Sequence, residues 1–276
     1  MGFESIVAQV NSLPPMPESV QKIQALFSQG TPSLKDVVAL IEKDPLLTAD
    51  ILAKVNAPFY GLRNNIVSVM QAVTLFGMVT IRGFVFSSSA YRAFDIDMSP
   101  YGVTTGTFGD ICNMQSALMF QWYMGVDVER AKLLIPVAFM LEVGKVVIAR
   151  ELVESDYAAL FYEAVQKRMS VEEVEREFAG VTTAEVNAML FEHWHFESEF
   201  IETMRCLDEG KELPGDVAYM VEALRVVRTC VNVKEGITEA TIAAAKEKVA
   251  GIGLDPERFE HAAVRVMQKF HANEQA

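Results

Sequence analysis

Four histidines serve the chain, His193, His195, His261 and His271. Metal or acid–base chemistry would be sought there first, because a neutral imidazole ligates metals and exchanges protons near neutral pH. His193 and His195 resemble a ligand pair by spacing. On a helix, however, they would point about 200° apart, whereas helical ligands need i, i+3 or i+4. They are read as surface and boundary residues flanking Trp194. His261 and His271 have no acidic i+4 partner. No HExxH, GxSxG or P-loop pattern occurs, and Gly251-Ile252-Gly253 lacks both a third glycine and a preceding strand, so it reads as a helix stop. The run Ser87-Ser88-Ser89 offers hydroxyls, but inside a helix these mark close packing or back-bonding to the i−4 carbonyl. The carboxylates Glu172-Glu173 and Asp95…Asp97 read as helix-start or loop charges.

Cys112, Cys206 and Cys230 are odd in number and far apart, with no CxxC. That argues against a disulfide framework or a thiolate zinc site and fits core-filling thiols in a reducing compartment. The chain has 276 residues, 51% apolar, with 24 Lys+Arg against 37 Asp+Glu and a formal net charge of -13. So acidic a surface would repel a nucleic-acid duplex unless a basic stripe intervened. The densest basic stretch, Arg225 to Arg228, reads as one turn of an apolar helix, so no nucleic-acid partner is expected. The N-terminal residues show no basic region followed by an apolar one, so no signal peptide is expected. The longest strongly apolar run, Leu133–Leu141, falls well short of the ~20 residues of a membrane span. No membrane association and a cytoplasmic location are expected.

The elements that must position any site read as helix after helix. From Ser33, the positions Leu34, Val37, Val38 and Ile41 follow the i, i+3, i+4, i+7 stripe of a half-buried helix. Asp44-Pro45 stops it and caps the next one, carried by Leu47, Ile51, Leu52 and Val55 and ending near Asn56. Capping boxes are read at Ser68…Gln71, Ser170…Glu173 and Thr182…Glu185. Gly77 and Gly180 stand where left-handed C-caps would be. Asp255-Pro256 opens a last helix to about Phe270. Ile81–Val85 is β-friendly but has no hairpin partner. Irregular stretches are expected at Ala57–Val67 and Asp95–Thr107, the first with Phe59, Tyr60 and Leu62 packed inward. The predicted class is all-α, a compact multi-helix body or two closely packed helical lobes.

The N-terminal third carries a specific pattern. It runs through Leu13-Pro14-Pro15-Met16-Pro17, Ile41 to Thr48 around Asp44-Pro45, Ile51 to Gly61 with Asn56, Phe59 and Tyr60, then Ile66-Val67-Ser68 and Ala72 to Gly77. In order and spacing this resembles the HDOD family, the HD-related output domains. A fainter match continues through Leu141 to Lys145 and Glu175…Gly180…Glu185, and Gly253 to Glu257 is similar to the C-terminal helical part of such proteins. The resemblance implies an HD-like all-helical fold. It suggests an HDOD domain over 1–210, with lobes at about 1–95 and 103–210, and a C-terminal helical extension over 211–276.

The residues Leu13, Pro14, Pro17, Asp44, Pro45, Asn56, Phe59, Tyr60 and Gly77 are read mainly as fold-specifying. Leu13–Pro17 is a rigid entry to the first long helix, and the Asn56 amide can satisfy loop backbone groups. HD phosphohydrolases, to which the family is related, hold a metal with histidines and a His-Asp dipeptide. This sequence has no His-Asp dipeptide. Judged by the surrounding pattern, the resemblance puts Gln115 where the first histidine would be and Leu141-Glu142 in place of the dipeptide. Thr183 and Leu207-Asp208 stand for further histidines, and Glu222 for a last acidic ligand. Hydrolysis, a metal and a cofactor are therefore not expected, although Glu142, Asp208 and Glu222 could leave an acidic relic pocket. The resemblance implies a bacterial signal-transduction module that binds a regulatory protein or a small nucleotide-like ligand and relays it through helix packing. A residual metal-dependent phosphohydrolase and a structural scaffold are the alternatives, and a homo-oligomer is left open.

Overall fold

The structure, a computed structural model, describes residues 2–13, 16–30, 32–93, 97–168 and 170–274, with side chains left out at Ser28, 89–93, Asn273 and Glu274. Pro14, Pro15, Asp95 and the Ser89 side chain lie outside the described residues. Among the described residues the elements are helical, with no strand beyond one isolated bridge between Asn232 and Gly236. Ile81–Val85 lies within the helix Met78–Ala93, its β-friendly side chains absorbed by core burial. Among the described residues no single helix is long and apolar enough to cross a membrane.

Two compact units emerge, each from separate stretches of chain. One comprises residues 1–14, 94–112 and 140–260, the other 15–93, 113–139 and 261–276.

In the second unit, Ser33 accepts from the Asp36 amide and Asp44 from the Leu47 amide, starting helices Leu34–Glu42 and Pro45–Val55. Asn56 then closes the following loop. Its Nδ2 donates to the carbonyls of Leu52 (2.9 Å) and Ile66 (2.8 Å), and its Oδ1 accepts from the Ile66 amide (2.7 Å). The loop holds a short 3-10 turn, Pro58–Tyr60, whose Phe59 and Tyr60 are buried, while Leu62 is half-buried. The Tyr60 hydroxyl donates to Ser116 Oγ at 2.8 Å, and its ring stands edge-on to Phe76 and Phe120. Ser68 caps helix Val69–Phe76, but Gln71 takes the Val67 amide rather than that of Ser68, so the box is only half made. Gly77 has φ 83 and ψ 156, not the left-handed cap expected of it. It turns the chain through an extended positive-φ link because the next helix begins at once, at Met78.

Helix Val128–Phe139 contains Pro136, which has no amide hydrogen for the Lys132 carbonyl. Thr80 Oγ1 donates to that carbonyl at 3.1 Å instead. One turn further along the Thr80 helix, Gly83 meets the proline ring so closely that a Cβ there would overlap Pro136 Cβ.

In the first unit the order is helix Phe3–Asn11, a 3-10 turn Ser99–Tyr101 and the start of helix Thr105–Tyr123, then helices Val143–Glu154, Ala158–Lys167, Val171–Ala179, Thr183–His193, Ser198–Arg205, Ala218–Cys230 and Glu239–Gly251. Helix Val143–Glu154 packs on helix Thr183–His193 at Gly144, where a Cβ would come 2.5 Å from the Thr183 carbonyl oxygen. Asn187 seals that contact, accepting from the Gly144 amide at 2.7 Å and donating to the Leu141 carbonyl at 2.6 Å. The last helix, Pro256–Glu274, runs beyond the expected Phe270, and its residues from His261 onward belong to the second unit.

Candidate functional site

The helix starts aim the polar groups of the first unit. Thr182 and Glu185 form a complete capping box at the head of helix Thr183–His193, while at Ser170 only the hydroxyl half is made. Gly180, with φ 75, ends the preceding helix Val171–Ala179 and turns the chain back on itself. That turn sets Glu175 against the N-terminus of the next helix, where unpaired amides and the helix dipole favour a carboxylate.

Glu175 is fully buried and saturated. Its oxygens accept from the Thr183 amide (2.7 Å), Thr183 Oγ1 (2.6 Å), the Tyr101 hydroxyl (3.0 Å) and Lys145 Nζ (2.9 Å). Lys145 Nζ also donates to Thr183 Oγ1 at 2.9 Å and pairs with Glu142 Oε2 at 3.0 Å. The Lys145 and Glu142 side chains are 4% and 1% exposed, so this ammonium sits inside the protein among three oxygens. Burial by itself would push the Lys145 ammonium down. Glu142, Glu175 and Glu172 outweigh it and hold the group above its ordinary lysine value. The Tyr101 phenol is driven well up, first by burial and then by the charge of Glu175.

A cleft of ≈ 820 Å³ opens beside this cluster. Along it, Arg228 pairs with Glu172 at 2.7 Å and approaches Asp208 at 3.6 Å. Asp208 accepts from Thr182 Oγ1 at 2.7 Å. Arg225 donates to the carbonyls of Cys206 and Leu207, each at 2.8 Å, and to that of Asp208, holding the buried segment that follows helix Ser198–Arg205. Burial would push the Glu172 carboxyl up, but Arg228 and Lys145 overcome it and hold it below the ordinary range.

Several expectations from the sequence change here. Glu142 and Thr183 meet on Lys145, and Asp208 is joined through Thr182, next in the chain to Thr183. Leu141 is core, contributing only a backbone carbonyl. Glu222 is half-buried and does not line the cleft, and Gln115 belongs to the other unit. Arg225 and Arg228 are not merely a turn of apolar helix, because their guanidiniums are spent on inward carbonyls and carboxylates. Glu172 is likewise a half-buried partner of Arg228 rather than a solvated helix-start charge. Helix Thr183–His193 ends before His195, which has φ 56, so the two histidines do not share a helix.

Lys145 and Glu175 entered the sequence reading only as positions of the fainter family match, with no site role, and Tyr101 did not enter it. A signal existed for two of them. Glu175 falls on the apolar stripe of Val171, Val174 and Phe178, and Lys145 lies one helical turn beyond Glu142.

An HD-type metal needs imidazoles and carboxylates converging with a position left for water. Here the two converging carboxylates, Glu142 and Glu175, already hold an ammonium. Among the described residues no group of three or more His, Cys, Asp or Glu is arranged to hold a metal ion. The donor set does not fit a divalent cation.

Residues 13–209 match the profile of the HDOD domain. This chain belongs to the HDOD domain family. The HDOD chain is similar to a solved virulence factor from Campylobacter jejuni subsp. jejuni, at 25% identity and TM-score 0.59 over 96% of each chain. It is also similar to a protein from Marinobacter aquaeolei VT8, provisionally described as a signal transduction protein, at 20% identity and TM-score 0.69. That likeness covers 94% of this chain and 58% of that one. A third, from Shewanella amazonensis SB2B and provisionally described as a phosphohydrolase, is 17% identical with TM-score 0.64 over 96% of this chain and 97% of that one. The last two share their fold with this HDOD domain. No curated protein sequence matches it.

Proposed function

We propose that this HDOD domain is a non-catalytic cytoplasmic signal-transduction module of bacterial type. It binds a regulatory protein or a small nucleotide-like ligand and passes the bound state on through helix packing. The observation that carries the reading is the Lys145 ammonium seated on Glu142, Glu175 and Thr183. A hydrolytic centre of the HD kind needs those oxygens for a metal that activates water, and a tethered lysine cannot lower the pKa of a bound water as a metal does. The description of the Marinobacter relative agrees with this reading, whereas that of the Shewanella relative names the competing one.

Incubation of the purified chain with Mn²⁺ and a panel of cyclic and linear nucleotides tests it. Product formation no faster than in buffer is expected. Metal-dependent turnover that disappears in Glu142→Gln would overturn the reading in favour of a phosphohydrolase.

A further inference from the structure

A second concavity, of ≈ 560 Å³, lies wholly within the unit of residues 15–93, 113–139 and 261–276. Its size falls within the roughly 300–1,000 Å³ of small-molecule sites. Tyr60, Phe120 and Met124 supply its apolar surface, and one face of helix Pro256–Glu274 supplies Arg265 and Lys269.

The apolar side is held in place. The Phe120 ring stands edge-on to Tyr60 at 5.6 Å and lies against Phe76 at 5.2 Å. Gln121 Nε2 donates to the Phe59 carbonyl at 2.6 Å, tying this wall to the Tyr60 loop. Phe120 and Tyr60 are therefore already placed when a ligand arrives.

Among the described residues, the charged side is unpaired in an acidic chain. Its net charge is -13, yet Arg265 and Lys269 have neither an ion pair nor a hydrogen bond among the described residues. Their neighbours one helical turn away are His261, each other and Asn273, none of them acidic. Like charges at i, i+4 repel, and an anion placed between them removes that repulsion.

We propose that this concavity binds a small organic anion with a flat apolar body. The ring lies against Phe120 and Met124, and the anionic group lies between Arg265 and Lys269. A nucleoside monophosphate and an aromatic carboxylate share this chemistry. The proposal deepens the small-ligand part of the function proposed above and rests on it, but it uses none of the residues around Lys145.

Calorimetric titration of the full chain with adenosine monophosphate and with 2-naphthoate tests it, with adenosine and 2-naphthylmethanol as neutral controls. Saturable binding of at least one anion at one per chain is expected, with its neutral counterpart about tenfold weaker or worse. The anion that binds identifies the source. Arg265→Gln with Lys269→Gln should weaken binding by about tenfold or more at an unchanged melting temperature, and Arg265→Lys with Lys269→Arg should retain it. The proposal is overturned by the absence of saturation with either anion, by equal binding of the neutral controls, or by binding indifferent to the glutamine pair. Failure here without metal-dependent turnover leaves the signalling role standing. Turnover abolished by Glu142→Gln but not by the glutamine pair sinks that role without touching this site.

Discussion

Removing the Lys145 side chain would leave Glu142 and Glu175 facing each other inside the first unit. Breaking a buried ion pair from one side is far more costly than the pair's net worth, because the surviving charge stays buried. Lys145→Ala is therefore expected to destabilise the protein by about 3–5 kcal/mol, read from urea unfolding. Since folding raises the Lys145 pKa, its contribution is fully present below the ordinary lysine value of about 10.4 and erodes as pH rises beyond it. Glu172 works in the opposite direction. Its lowered pKa contributes stability above the ordinary carboxylate range, and this is lost as pH falls through the folded value. Stability measured against pH should decline on the acid side, and Glu172→Gln should flatten part of that decline. Of this cluster, Glu142, Thr183 and Asp208 were legible through the family pattern. Lys145 and Glu175 appeared only as positions of its fainter part, without a role, because a charged residue on a helix reads as solvated until its partners, distant in sequence, are seen.

At the scale of the element, single side chains close turns that the backbone cannot close alone. Asn56→Ala strips partners from both polar groups of Ile66 and should cost about 1–3 kcal/mol, with faster amide exchange at Ile66. Tyr60 is buried among Phe76, Phe84 and Phe120, so Tyr60→Ala should cost about 3–5 kcal/mol in thermal unfolding. Helix starts were the most readable feature of the sequence, since a hydroxyl or carboxylate at the N-cap has one local job, as Ser33, Asp44 and Thr182 show. Helix ends were less so. Gly77 and His195 take positive φ because of where the next helix must start and run, and a four-residue pattern does not contain that information.

For the whole molecule, the periodic stripes foretold an all-helical protein, but not which stretches would share a core. Residues 15–93 pack with 113–139 and 261–276, contacts that span more sequence than any local motif. A fragment of residues 15–93 alone lacks Phe120, Pro136 and Phe139, against which Tyr60, Gly83 and Phe84 pack. It is expected to lose cooperative unfolding, with a broad or absent thermal transition by circular dichroism where the full chain gives a sharp one.

The joint between Thr80 and Pro136 makes two distant positions depend on each other. The Thr80 hydroxyl matters because proline breaks the ladder at Lys132, and with an ordinary amide at 136 that hydroxyl would be redundant. Thr80→Val should cost about 1–3 kcal/mol in the native chain and much less beside Pro136→Ala, a non-additivity that a double-mutant cycle would read directly. Across descendants of this sequence, residues 80 and 136 are then expected to change as a pair, a hydroxyl persisting wherever the proline does and drifting freely once it is gone.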